Sequence, residues 1–146
     1  MGVSMTTVMM EGVHRKIQCD RGQVQSTGEH LLIVEPDPSM AAQLSRWLEE
    51  LGMTATMVPT GEEGMKVLRK AQIDAILLAL DAPGMNGLVM LTQLRQRYAD
   101  LPVLVMVGAE QTESLLEALE SGACDYLTKP VRHHLLIQKL ARLFRE

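Results

Sequence analysis

Four side chains in this sequence could act together chemically, and each lies just past an apolar run. Glu35 and Asp37 follow Leu31-Leu32-Ile33-Val34, Asp81 follows Ala75-Ile76-Leu77-Leu78-Ala79-Leu80, and Lys129 follows Tyr126-Leu127-Thr128. Glu35, Asp37 and Asp81 could together hold a hard cation, which favours several oxygen ligands. The competing arrangement pairs Glu35 with Lys129 and leaves Asp37 to cap a helix. Between Leu78 and Leu80, where a reactive group would be best placed, the chain has Ala79, whose methyl group does no chemistry. His133 and His134 are adjacent and fall on different sides of a helix, so they cannot share a metal. Cys19 and Cys124 belong to no CxxC pattern, which argues for plain thiols in a reducing compartment.

The elements that must position these groups are legible from periodicity. Leu31–Val34 and Ala75–Ala79 are continuous apolar runs closed by breakers, the pattern of parallel strands buried on both faces. Ligands of open parallel sheets sit outside the carboxyl ends of such strands. Asp37 suits the N-cap and Pro38 the first turn of a helix carrying Met40, Leu44, Trp47, Leu48 and Leu51, with Gly52 as its left-handed stop. Thr54 to Val58 predicts a short strand. Thr60-Gly61-Glu62-Glu63 is a capping box for a helix through about Lys70, softened by Gly64. After Gly87, Leu88, Leu91, Leu94 and Tyr98 line another helix. Val103–Val107 predicts a strand, and Glu110 to Ser121 a helix with Leu115, Leu116, Ala118 and Leu119 on or near its buried face. Cys124–Thr128 closes the set of strands, and the last helix carries Leu136, Ile137, Leu140, Leu143 and Phe144. Five alternations of strand and helix predict an α/β sandwich, a parallel sheet with helices on both faces.

With 146 residues, 47% apolar and 22% charged, the chain can bury one substantial core as a single domain. Aromatic residues are only 3%, so that core must come from aliphatic residues and some of the 11 methionines. A net charge of −4 argues against a nucleic-acid partner. No apolar run approaches a membrane span, and the start lacks a signal-peptide core, so a cytoplasmic protein is expected. Met1-Gly2-Val3-Ser4-Met5-Thr6 fits the loose myristoylation pattern, which fixes too few positions to carry weight. Residues 1–29 show no sustained period and predict a mobile extension, or a start placed too early with Met5, Met9 and Met10 as alternatives. The folded unit is expected over residues 30–146.

From Leu31 onward, about four-fifths of the chain, the order and spacing resemble a bacterial response-regulator receiver domain. Pro83-Gly84-Met85-Asn86-Gly87, Tyr126-Leu127-Thr128-Lys129-Pro130 and Gly122-Ala123 carry the resemblance. It implies a flavodoxin-like doubly wound sheet in strand order 2-1-3-4-5, and a cis bond before Pro130. Members of that family accept a phosphoryl group from a histidine kinase on an aspartate, with magnesium. The resemblance puts the acceptor four residues before Pro83, at Ala79. It puts the direct metal ligand at Pro36, beside Glu35, and the phosphoryl-binding Ser or Thr at Val107. Only Lys129 is kept. A carboxylate nucleophile and a divalent cation are what this transfer needs, and Val107 offers no hydrogen bond.

The chain is therefore expected to be a pseudo-receiver: not an enzyme, with no cofactor, doubtful magnesium binding, and a degenerate pocket of Glu35, Asp37, Ala79, Asp81, Val107 and Lys129. With Pro36 in place of a ligand, the Glu35–Lys129 pair is favoured over metal ligation, and Asp81 is favoured as a turn residue over a displaced acceptor. The alternatives are an active acceptor at Asp81, and an anion sensor whose pocket is lined by Ala79, Val107 and Lys129. Receiver domains dock or dimerise through their last two helices, here about residues 110–146. Arg132, Lys139, Arg142 and Arg145 there, facing Glu113, Glu117 and Glu120, make a signalling partner or a homodimer the expected contact. No effector segment follows within the sequence, so the output is expected to lie in a partner, another subunit or residues outside this chain.

Overall fold

The computed structural model describes residues 18–20, 23–25, 28–81 and 87–144. Two short strands, β1 (Gln18–Asp20) and β2 (Gln23–Gln25), pair antiparallel. No periodicity marks them. The main sheet holds β3 (His30–Val34), β4 (Thr54–Val58), β5 (Ala75–Ala79), β6 (Val103–Val107) and β7 (Asp125–Thr128). Its order is β4-β3-β5-β6-β7, all parallel, which is 2-1-3-4-5 when the sheet is counted alone. This is the flavodoxin-like arrangement. Among the described residues four helices connect these strands, α1 (Pro38–Glu50), α2 (Gly61–Lys70), α3 (Gly87–Arg97) and α4 (Thr112–Glu120), and α5 (His133–Phe144) follows β7.

Alternation along the strands sorts the core into two layers. Leu31, Ile33, Leu77, Leu104, Met106 and Leu127 face α1 and α5, where they meet Leu44, Leu48, Leu136, Leu140 and Phe144. Leu32, Val34, Ile76, Leu78, Val103 and Val105 face α2, α3 and α4, meeting Met65, Leu68, Met90, Leu91, Leu94 and Ala118. Both faces of β3, β5 and β6 are covered, which is why their sequences are apolar throughout.

The start signals work as the sequence suggests. The Asp37 side chain accepts from the Ser39 N–H at 3.0 Å, and Thr60 accepts from the Glu63 N–H at 3.2 Å. Gly64 has a packing reason for its place in α2. A Cβ there would lie 3.0 Å from Met90 Cε and 3.2 Å from Val34 Cγ2, so a larger residue would make these side chains give by a few tenths of an ångström where α2 packs on β3 and α3. One expectation for α4 fails. Leu116 and Leu119 are exposed, at 58% and 38%, while Ala118 alone is buried and Leu115 packs beside it. At 100° per residue Leu115 and Ala118 share one stripe, and Leu116 falls nearly opposite Ala118. The helix also starts at Thr112 and β7 at Asp125, slightly later than the sequence suggests.

Candidate functional site

The chemistry-bearing residues gather at the carboxyl edge of the sheet, where backbone bonds hold three of the chain segments in place. The Glu35 N–H donates to Val58 O at 3.0 Å, extending the β3–β4 ladder by one residue. The Leu80 N–H donates to Met106 O at 3.1 Å, and the Lys129 N–H to Val107 O at 2.8 Å. Glu35, the turn at Asp81 and Lys129 therefore hang from β3, β5 and β7, which end at the same level.

Lys129 joins them. Its ammonium Nζ lies 2.9 Å from Glu35 Oε1, 3.2 Å from Glu35 Oε2 and 3.3 Å from Asp81 Oδ1. The Glu35 side chain is 1% exposed, Lys129 21% and Asp81 51%, so the pair with Glu35 is buried and the contact with Asp81 opens to solvent. Glu35 Oε2 also accepts the Asp37 N–H at 3.1 Å. Oε1 takes no hydrogen bond of good direction, so the ammonium's charge, not a hydrogen bond, compensates it. Burial works to lower the Lys129 pKa. The hydrogen bond and charge of Glu35, with Asp81 adding to them, outweigh that and hold it above the ordinary lysine value.

Asp37 contributes its backbone N–H here, while its carboxylate turns to the Ser39 amide as a helix cap. The three carboxylates of the sequence thus separate into a Glu35–Lys129–Asp81 group and a capping Asp37. Pro36 lines a cleft of about 360 Å³ with Pro38, Ala41, Met57, Val58 and Pro59, beside Glu35. Ala79 is 0% exposed and Val107 2%, each the last residue of its strand. The Lys129–Pro130 peptide bond is cis. Pro83 to Asn86 lie outside the described residues, and so does Arg145.

Two contributors carry little signal in the sequence. Gln111 Oε1 accepts the Gly108 N–H at 2.7 Å and so shapes the turn after Val107. Gly87 opens α3 directly against the strand tip. A Cβ at Gly87 would come within 2.7 Å of Leu80 Cα and 3.1 Å of Ala79 O. The glycine was visible as part of a motif, but its reason is this close approach of helix and strand.

On the far edge, Lys139 Nζ pairs with Asp125 Oδ1 at 2.8 Å and stands 4.7 Å from the Tyr126 ring centroid. Arg142 is 3.8 Å from Asp125 Oδ2. His133 bonds Glu50 Oε1 at 2.7 Å, with Trp47 edge-on to its ring at 5.1 Å, which ties α5 to α1. Cys124 is a free, exposed thiol. Among the described residues no helix is long and apolar enough to cross a membrane.

A five-stranded parallel sheet in this order, with a lysine after the last strand and an acid after the first, is the arrangement of a flavodoxin-like α/β module. Residues 31–141 match the response regulator receiver domain, and the chain belongs to that family. It is 36% identical over 98 residues to the DNA-binding transcriptional regulator NtrC of Escherichia coli K12, a match covering 67% of this chain and 21% of that one. It is 33% identical over 115 residues to the transcriptional regulatory protein QseB of Haemophilus influenzae, covering 79% and 52%. The chain thus spans between about a fifth and a half of these relatives. A putative response regulator from Chloroflexus aurantiacus superposes with TM-score 0.76 at 26% identity, covering 82% of this chain and 99% of the other. The receiver domain of Francisella response regulator 1452 does so with TM-score 0.74 at 28% identity, covering 81% and 98%.

Proposed function

We propose that this chain is a cytoplasmic pseudo-receiver, a signalling and protein-interaction module that works without phosphorylation. The observation that carries the reading is Ala79. At the strand tip where the family resemblance puts the acceptor aspartate, the chain has a methyl group with no exposed surface. No nucleophile is available there. Magnesium, which receiver domains use at this place, does not fit the residues present. The ion demands near-octahedral oxygen ligands at about 2.0–2.1 Å. Ala79 and Pro36 offer no side-chain oxygen, the buried Glu35 carboxylate is paired with Lys129, and Asp81 Oδ1 lies 3.3 Å from the same ammonium. The burial of Ala79 and Val107 also argues against a small-anion site at their level.

The partner surface lies on α4, β7 and α5. Leu116 and Leu119 are exposed apolar residues on α4, and Tyr126 of β7 is 37% exposed beside the Lys139–Asp125–Arg142 cluster. Apolar side chains rimmed by charge suit a protein partner, either another signalling protein or a second copy of this chain. The receiver unit begins at about residue 30, and residues 1–29 form an extension to it.

Incubation with acetyl phosphate and magnesium should leave the intact mass unchanged. An adduct that disappears in Asp81→Asn would instead establish Asp81 as an acceptor in an altered pocket, and this reading would be wrong.

A further inference from the structure

The same edge of the sheet carries a second consequence, which rests on the reading of the chain as a receiver without a working acceptor. Lys129 follows β7, yet its ammonium reaches Glu35 after β3 and Asp81 after β5. In the sheet order β7 borders only β6. The lysine therefore spans strands that share no hydrogen-bonded ladder with its own. Between them β6 ends in Val107, which has no polar side-chain atom to offer. Glu35 is almost wholly buried, and its Oε1 has no directed hydrogen bond. A buried carboxylate in that condition needs a positive charge close by. Lys129 is the basic residue paired with it among the described residues.

We infer that Lys129 is the resident cation of this pocket, a tethered primary ammonium that neutralises Glu35 and Asp81 where relatives of this fold hold a divalent ion. The ends of β3, β5 and β7 are then clamped together at any magnesium concentration, and the module has a fixed arrangement at this edge. Truncation of the lysine should leave a cavity suited to a primary alkylammonium: a small cation with N–H donors aimed at two carboxylates.

The test is thermal unfolding of the full chain. Lys129→Met should lower Tm by roughly 5–10 °C, because one partner of a buried pair is left uncompensated. Adding Glu35→Gln in that background should return at least half of the loss. In Lys129→Ala, ethylammonium chloride should raise Tm by several degrees more than tetramethylammonium chloride at equal ionic strength, since only the first has N–H donors. Magnesium chloride should move the wild-type Tm no more than sodium chloride does at equal ionic strength. A Lys129→Met protein as stable as wild type overturns the inference, and so does a double variant no more stable than the single. A saturable, magnesium-specific rise in the wild-type Tm overturns it as well. The double variant decides the matter even if Lys129→Ala does not fold. The Lys129 and Glu35 variants bear on the clamp and the acetyl phosphate assay bears on the acceptor, so the two claims fail separately.

Discussion

On the proposed reading, position 79 sets the chemistry of the site, because a methyl group can neither attack phosphorus nor hold a metal. Restoring the carboxylate should not restore the reaction. Ala79→Asp would bury a third negative charge near Glu35, at a position with no exposed surface, and like charges raise a carboxylate's pKa and weaken the fold. Lys129, already shared between Glu35 and Asp81, offsets part of that but leaves the donor's phosphate oxygens unscreened. Acetyl phosphate should therefore leave Ala79→Asp unlabelled, with a lower Tm than wild type. Labelling is expected to need Pro36→Asp as well, and Val107→Thr should improve it. Stoichiometric labelling of the single variant would show that the pocket still takes a metal. Lys129 also has a pH signature. Its folded pKa is raised, so the stability it contributes is fully present below the unfolded value of about 10.4 and is lost as pH rises through the folded value. The difference in unfolding free energy between wild type and Lys129→Met should be flat from pH 7 to 9 and shrink above about pH 10. A difference that grows with pH would reverse the sign assigned here. Glu35, Asp81 and Lys129 were each visible in the sequence as polar residues after apolar runs. Their convergence was legible from the placing of ligands at the carboxyl ends of parallel strands and from the family resemblance, since no local pattern says which strand ends lie side by side.

Among the elements, the strands were the most readable, because β3, β5 and β6 are buried on both faces and their apolar runs have no gap. Helix starts were readable for a local reason too: Asp37 and Thr60 cap through contacts two and three residues away. The face of α4 was not. Its nine residues hold four of Leu and Ala, and a short stripe can be rotated without breaking the pattern, so only packing selects Leu115 and Ala118. The β1–β2 pair was missed because a three-residue strand leaves no period to detect. Two expectations belong to this scale. Gly87→Ala should destabilise by about 1–3 kcal/mol, the usual cost of overpacking, because the added carbon meets the Leu80 backbone rather than a yielding side chain. Urea unfolding checks it, and an unchanged midpoint would mean that α3 moves freely away from the strand tip. Leu116→Glu with Leu119→Glu should leave stability within about 0.5 kcal/mol, as exposed substitutions do. The same pair should abolish self-association or partner binding, as seen by analytical ultracentrifugation or pull-down against the wild type.

At the scale of the whole molecule, the proposed receiver unit runs over residues 30–146. From His30 on, every strand of the main sheet buries apolar side chains in one of the two core layers. Among the residues whose burial is described Glu29 is the first buried one, and its carbonyl accepts the Thr54 N–H at 3.1 Å, so the described bonding of the main sheet starts there. The sequence before it has no period with which to build an apolar face, and on the proposed boundary it adds too little apolar burial to the core to offset the roughly 1–2 kcal/mol per residue that ordering the backbone costs. The antiparallel bonds of β1 with β2 join those strands to each other, and neither belongs to the main sheet. Two paired strands alone are marginal in water. Deleting residues 1–27 should therefore leave the parallel sheet intact, with a two-state transition and a Tm within a few degrees of the full chain. Circular dichroism and thermal unfolding of the truncated protein test this. A loss beyond about 8 °C, on the order of 1–2 kcal/mol for a domain of this size, would show that the extension packs on the core, and the unit would then have to be drawn from residue 1.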